Sequence, residues 1–377
     1  MNTNPDIGIV GAGLAGLSAA LHLAKAGLKV TVIEKHEFPH HKVCGEYISN
    51  EVLPYLEFLG VDVGQLNPTK VTRVSFSTIS GREIEGKLPL GGFGISRYAF
   101  DNLLYENAVA AGCNFVFDSA CDIEHSNDGF RIKTTKSGDI LCKIAIGAFG
   151  KRSVLDQKLQ RGFIRQKSPW LAVKAHYAGS FPDDLVSLHN FHGGYCGVSK
   201  VENNTINICY LANYESFRKY TDFDDFQKNV LYENPRLKSV FESSTMIYEK
   251  PLAIGQISFS KKFPVENHVL MAGDTAGLIH PLCGNGMAMA MHAAKLASEL
   301  TIAFFDGKIT RGEMEANYAK VWKDTFHRRL TSGRFLSSAL QKQMLADILT
   351  RGLLLFPGTF RGLIRQTHGK PIDLQCS

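Results

Sequence analysis

The sequence predicts an α/β fold in which a parallel sheet is interrupted by an antiparallel β-sheet and followed by a helical C-terminal region. Three observations carry this expectation. The first 34 residues read as a complete strand–helix–strand unit. Residues 170–260 alternate polar and apolar side chains in short runs, as half-buried strands do. An apolar strand then returns at His268–Ala272, and helical periodicity dominates from there on.

Composition sets the outer limits. A chain of 377 residues with 44% apolar content buries a large core and has the length of two or three domains. Charged residues at 21% and aromatics at 10% suit a soluble enzyme and exclude a disordered chain. No apolar run approaches the ~20 residues of a membrane-spanning helix. The start, Met1 to Asp6, lacks the basic and apolar stretches of a secretion signal, so a cytoplasmic protein is expected. The eight cysteines are scattered with no C-x-x-C pair, which points to reduced thiols rather than a disulfide framework or metal cluster. Thirteen histidines are present, and His176, His189 and His192 fall close together in the strand-rich region. None has metal-ligand spacing, so no metal site is expected.

The elements follow in order. Asp6–Val10 is a short buried strand, and Leu14, Leu17, Leu21 and Ala24 mark a helix that Gly27 stops. Lys29–Glu34 is the second strand. Residues 36–96 read as irregular, punctuated by Gly64, Pro68 and Gly91-Gly92. A helix over Arg97–Ala111 and strands at Asn114–Phe117, Asp118–His125, Phe130–Thr135 and Ile140–Ile146 come next. Trp170–Tyr177, Val186–Phe191 and Thr205–Leu211 are strands, with a helix over Phe223–Tyr232. The resulting division assigns 1–75, 97–165 and 265–305 to a nucleotide-binding domain. Residues 76–96 and 166–264 form a substrate-binding β-sheet domain, and 306–377 a helical basic region.

Two motifs carry chemistry. In Gly11-x-Gly13-x-x-Gly16, Gly11 permits a tight turn, Gly13 lets the backbone approach a pyrophosphate, and Gly16 lets the helix pack on the strand. Leu14 and Ala15 open that helix, whose N-terminus offers free N–H groups and a positive dipole end. Glu34, followed by Lys35, ends the second strand where an acid accepts from adenosine ribose hydroxyls. This unit alone does not separate FAD from NAD. The second motif does. Gly273-Asp274 ends a strand, and Pro281-Leu282-Cys283-Gly284-Asn285-Gly286-Met287 opens a helix. Such a glycine loop presents N–H groups where negative charge gathers on a reduced flavin, and a plain NAD dehydrogenase has no use for it.

With these motifs, the chain resembles the flavoprotein superfamily of aromatic-ring hydroxylases of the p-hydroxybenzoate hydroxylase kind, flavin-dependent halogenases and geranylgeranyl reductases. The reductase branch is the most similar. The ordered matches are Gly11–Glu34, Lys42-Val43-Cys44-Gly45-Glu46, Arg97 with Asp101, Gly147–Ser153, Gly273-Asp274 and Pro281–Gly286. The resemblance implies a Rossmann-type FAD-binding domain (GR2-like) with an inserted antiparallel substrate sheet. It places Glu34 on adenosine ribose, Arg97 along the FAD and Asp274 on ribitol, with Gly284–Gly286 against the isoalloxazine. Lys42 and Gly45 belong to the loop whose Cys44 lies beside the flavin ring. Cys44 either tunes the flavin or simply fills space there, and Glu46 is either a proton donor or a solvated loop acid.

The departures narrow the activity. Hydroxylases of this group carry Asp-Gly where this chain has Phe149-Gly150, which leaves NAD(P)H as electron donor open. The halogenase Trp-x-Trp-x-Ile signature is absent, because the chain has only Trp170 and Trp322. The aromatic Tyr-x-Trp-x-Phe-Pro segment of geranylgeranyl reductases is reduced to Gly193–Ser199, which keeps Tyr195 and loses the tryptophan. The expectation is therefore an FAD-dependent oxidoreductase acting on a hydrophobic lipid, polyprenyl or polyketide-type substrate. Reduction is preferred, hydroxylation is the alternative, and a non-catalytic FAD-containing lipid carrier is the reading from another class. Between Lys323 and Lys370 nine Lys/Arg face two acids, so most of the net +6 sits there. Leu353–Arg365 mixes apolar with basic residues. It reads either as a docking segment for an anionic membrane or carrier protein or as a core-capping helix pair. No nucleic-acid motif accompanies the charge.

Overall fold

The computed structural model describes residues 4–126, 129–281, 284–340, 362 and 369–374. A parallel sheet forms the centre of its first layer system. Five parallel strands lie in the order Val269–Met271, Ile144–Gly147, Ile7–Val10, Val30–Glu34 and Asn114–Phe117, with Val265–Glu266 antiparallel at one edge. Ile7–Val10, Val30–Glu34 and Ile144–Gly147 are buried at every position. This explains their mostly apolar character, since a parallel sheet is covered on both faces, and the polar Thr31 and Glu34 are buried with the rest. Helices Leu14–Lys25, Arg97–Ala110 and Gly286–Phe305 pack together on one face. On the other lies a three-stranded meander of Ala120–Ser126, Gly129–Thr134 and Asp139–Cys142. A side chain at Gly8 would come within 2.5 Å of the Ile132 side-chain tip and 2.9 Å of the Cys142 sulfur, so glycine lets the meander pack closely on this strand. The long helix Arg311–Leu340 packs on Gly286–Phe305.

The second sheet has nine strands. Its main path runs Ser244–Met246, Trp170–Gly179, Ile206–Asn213, Gly194–Lys200, Leu185–Phe191, Thr69–Ser77, Glu83–Gly94 and Tyr47–Ser49, with Leu252–Ile254 also on Trp170–Gly179. All pairs are antiparallel except Leu185–Phe191 with Thr69–Ser77. Residues 36–96 are thus not irregular: they supply a long hairpin, and an edge strand at Tyr47–Ser49. The expected boundary at residue 75 falls inside Thr69–Ser77. A register shift between Val71 and Arg73 explains the misreading, because buried Val71, Val74 and Phe76 are not spaced by two across the bulge. The expected strand Ile140–Ile146 is also two strands, one in the three-stranded meander and one in the parallel sheet, divided at Lys143.

Alternation gives the large sheet two distinct faces. Val173, Ala175, Tyr177, Ile208 and Tyr210 point to an apolar core under helices Phe223–Asn229 and Pro235–Glu242. Ala172, Lys174 and His176, with Asn207, Cys209 and Leu211 beside them, occupy the opposite face, which meets the loop Lys42–Glu46. No helix among the described residues is long and apolar enough to cross a membrane.

Candidate flavin site

The glycine turn is built as its sequence requires. Gly11 has φ +100°, and a side chain there would lie 2.3 Å from the Ala148 carbonyl oxygen. One at Gly16 would lie 1.9 Å from the Gly11 carbonyl oxygen, so only glycine lets the helix approach its strand. Gly13 differs: its missing Cβ would meet only the Arg97 guanidinium, at 3.6 Å. Gly13 therefore opens onto a basic space in front of the helix N-terminus, which suits a pyrophosphate. Glu34 braces this turn, accepting from the Ala12 N–H at 2.7 Å and the His36 N–H at 3.2 Å. Lys35 is exposed just beyond it.

Arg97 grips Asp101 with two bonds, 2.6 and 2.7 Å, and Lys42 reaches the same carboxylate at 2.8 Å. Burial would raise the Asp101 carboxyl, but Arg97 and Lys42 together hold it below its ordinary value. Helix capping sets this geometry, because Ser96 accepts the Ala99 N–H and starts the helix at Arg97.

The flavin end is assembled from distant segments. Gly273 and Gly284 both have φ +64°. Gly273, Asp274 and Gly286 line a crevice with Gly277, Met289, Ala290 and Trp322 at the N-terminus of the helix Gly286–Phe305. Asn285 is fully buried at its cap position. Gly150 donates its N–H to Thr275 at 2.8 Å and so ties the Phe149-Gly150 turn to the second motif. The buried Lys262 ammonium joins the same two segments through the Lys151 and Asp274 carbonyl oxygens, at 2.9 and 2.8 Å. Cys44 spans the interval: its sulfur is 3.5 Å from that of Met287, and its thiol interacts with the Arg97 guanidinium. No side chain at Gly45 would meet anything within 4 Å. An open glycine path, a helix N-terminus at each end and Arg97 between them fit FAD. Leu282 and Cys283 lie outside the described residues.

Glu46 is not the solvated loop acid of the second sequence reading. It is wholly buried, with φ +55°, and accepts from the Arg97 N–H at 2.7 Å, Lys174 Nζ at 2.5 Å and His176 Nε2 at 2.6 Å. Burial alone would raise its carboxyl, but Lys174 and His176 hold it below the ordinary range. It is a buried acceptor enclosed by Arg97, Lys174 and His176. The cluster extends outward. His41 stacks edge-on to His176 at 5.4 Å and shares a 2.9 Å hydrogen bond with Tyr248. Burial, then the charges of Lys174 and His176, push His41 down to about 4.

Sequence reasoning did not single out Lys174. The signal was there: Lys174 and His176 stand two apart in the apolar run Trp170–Tyr177, so both had to face the same buried side. The three expected neighbours among the histidines are dispersed. His189 lies on the far face, bonded to Ser77 at 2.8 Å, and His192 sits at the rim against Glu233. Tyr195 is buried beside Ala172, Leu211, Ile257 and Leu278, with Val43, Trp170 and Phe259 packed against them and the His280 ring 5.7 Å away. In the basic C-terminal region Arg328 and Arg334 are exposed, whereas Arg329 turns inward to the buried Glu51 at 3.1 Å. Apart from Gly362, the segment Leu353–Arg365 lies outside the described residues.

Comparison with known proteins agrees with this geometry. Residues 4–308 match the family described as FAD binding domain. The chain belongs to that family and is an FAD-dependent oxidoreductase. It is 27% identical to a digeranylgeranylglycerophospholipid reductase of Methanosarcina acetivorans, over 85% of this chain and 81% of that one. It is 24% identical to a menaquinone reductase of Mycobacterium tuberculosis, over 80% and 77%. Its fold matches the flavin-dependent brominase Bmp2 with a TM-score of 0.79 at 18% identity, over 98% of this chain and 95% of that one.

Proposed function

We propose that this oxidoreductase saturates a carbon–carbon double bond in a hydrophobic, polyprenyl-type lipid. The observation that carries the reading is one sheet face with two characters. Ala172, Leu211 and Tyr195 make it apolar, and Lys174 and His176, next along the same strand, make it charged around Glu46. Cys44 and Met287 lie across from it. The apolar portion takes a hydrocarbon chain and excludes water, and the charged portion holds protons at a fixed, dry position. FAD, when bound, supplies hydride chemistry. Gly11–Gly16 and Arg97 orient its pyrophosphate, and Asp274 with Gly284–Gly286 would hold its ribitol and ring. The two named lipid and quinone reductases among the relatives support a substrate of this class.

The test is anaerobic. The FAD-loaded protein is reduced with dithionite and mixed with a polyprenyl lipid such as geranylgeraniol. Reoxidation of the flavin with a product heavier by one hydrogen pair is the expected result. Reoxidation only by oxygen, with a hydroxylated product, would move the assignment to a monooxygenase. Running the reduction with NADH and NADPH in parallel identifies the donor.

A further inference from the structure

The strand Trp170–Gly179 separates two environments. Lys174 and His176 face the Glu46 loop, whereas Val173, Ala175 and Tyr177 face the helices on the outer side of the sheet. Between that face and the helix Phe223–Asn229 lies a cavity of about 300 Å³, at the lower end of the ~300–1,000 Å³ range of ligand pockets. Tyr177, Tyr210, Phe223 and Phe241 supply aromatic walls, and Asp224 stands exposed at the mouth. Among the described residues Asp224 is the one charged group of the lining, which contains no lysine, arginine or histidine. Tyr177 and Tyr210 are only 9% and 6% exposed. Burial, with a smaller contribution from the Asp224 charge, pushes both phenols up, so they stay protonated.

We propose that this cavity binds an organic ammonium ion, quaternary or protonated, borne either by a free small base or by a lipid headgroup. A cation is stabilised over aromatic faces and by a carboxylate at close range. An anion would meet Asp224 with no basic side chain to offset it. A neutral ligand would gain the apolar walls but nothing from the carboxylate. The occupant would rest on Ala175 and Tyr177, whose strand neighbours Lys174 and His176 are in the flavin-side cluster.

Calorimetry on the FAD-loaded protein tests this, with choline, its uncharged tert-butyl isostere and glycerophosphocholine as probes. Choline is expected to bind about tenfold more tightly than the isostere. Asp224→Asn, at an exposed position, should reduce that preference while leaving the melting temperature unchanged. Phe223→Ala should weaken choline without affecting the flavin spectrum. Stronger binding of glycerophosphocholine than of choline assigns the site to a lipid headgroup, and the reverse assigns it to a free base. Equal binding of choline and the isostere, no binding of either cation, or choline binding untouched by both variants overturns the proposal.

Discussion

Glu46 holds the left-handed backbone conformation that costs a residue other than glycine roughly 1 kcal/mol or more. The return is a carboxylate that meets Lys174, His176 and the Arg97 N–H at once. Removing one member leaves its partner buried and uncompensated. Lys174→Met should therefore destabilise the fold by ~3–5 kcal/mol in urea unfolding. The double variant Lys174→Met/Glu46→Gln should recover most of that loss, because neither charge then remains alone. A double variant no more stable than the single one would show that the pair is not the unit that matters. Glu46 stood out in the sequence because the string Lys42 to Glu46 resembles the flavin-side loop of the reductase branch. Its role did not, since the groups that fix its ionisation are 128 and 130 residues further along.

Among the elements, the first strand–helix–strand unit separates two uses of glycine. Gly16→Ala would place a methyl group 1.9 Å from the Gly11 carbonyl oxygen, so the helix must leave its strand. Gly13→Ala meets only Arg97, at an ordinary 3.6 Å. The expected outcome is that Gly13→Ala keeps its melting temperature but is purified with little FAD, whereas Gly16→Ala loses both. Equal melting losses would place both glycines in packing alone. This unit was legible because fully buried parallel strands are mostly apolar and the glycine spacing is local. The hairpin Thr69–Ser77 with Glu83–Gly94 was not, because its bulge breaks the two-residue period that marks a strand.

The molecule as a whole carries several histidines that burial keeps neutral. His22, His189, His280 and His292 are each pushed down to about 4, with burial the largest cause in every case. Between pH 6.5 and about 4 the unfolded chain binds more protons at these groups than the folded one. Stability should accordingly fall as pH drops through that window. His189→Gln should flatten the slope of unfolding free energy against pH there by up to about 1.4 kcal/mol per pH unit. An unchanged slope would mean that His189 already carries its proton when folded. The interleaving of the two sheets also bears on synthesis. Thr69–Ser77 borders Leu185–Phe191, and paired residues such as Ser75 and Ser187 are 112 positions apart. At ~5–20 residues per second on the ribosome, that edge of the hairpin waits on the order of ten seconds for its neighbour. Val269–Met271, the parallel partner of Ile144–Gly147, emerges later still. The nascent chain thus presents two unpaired strand edges at once, each open to wrong partners. Its yield in a cell should depend on what shields those edges until the last strand arrives.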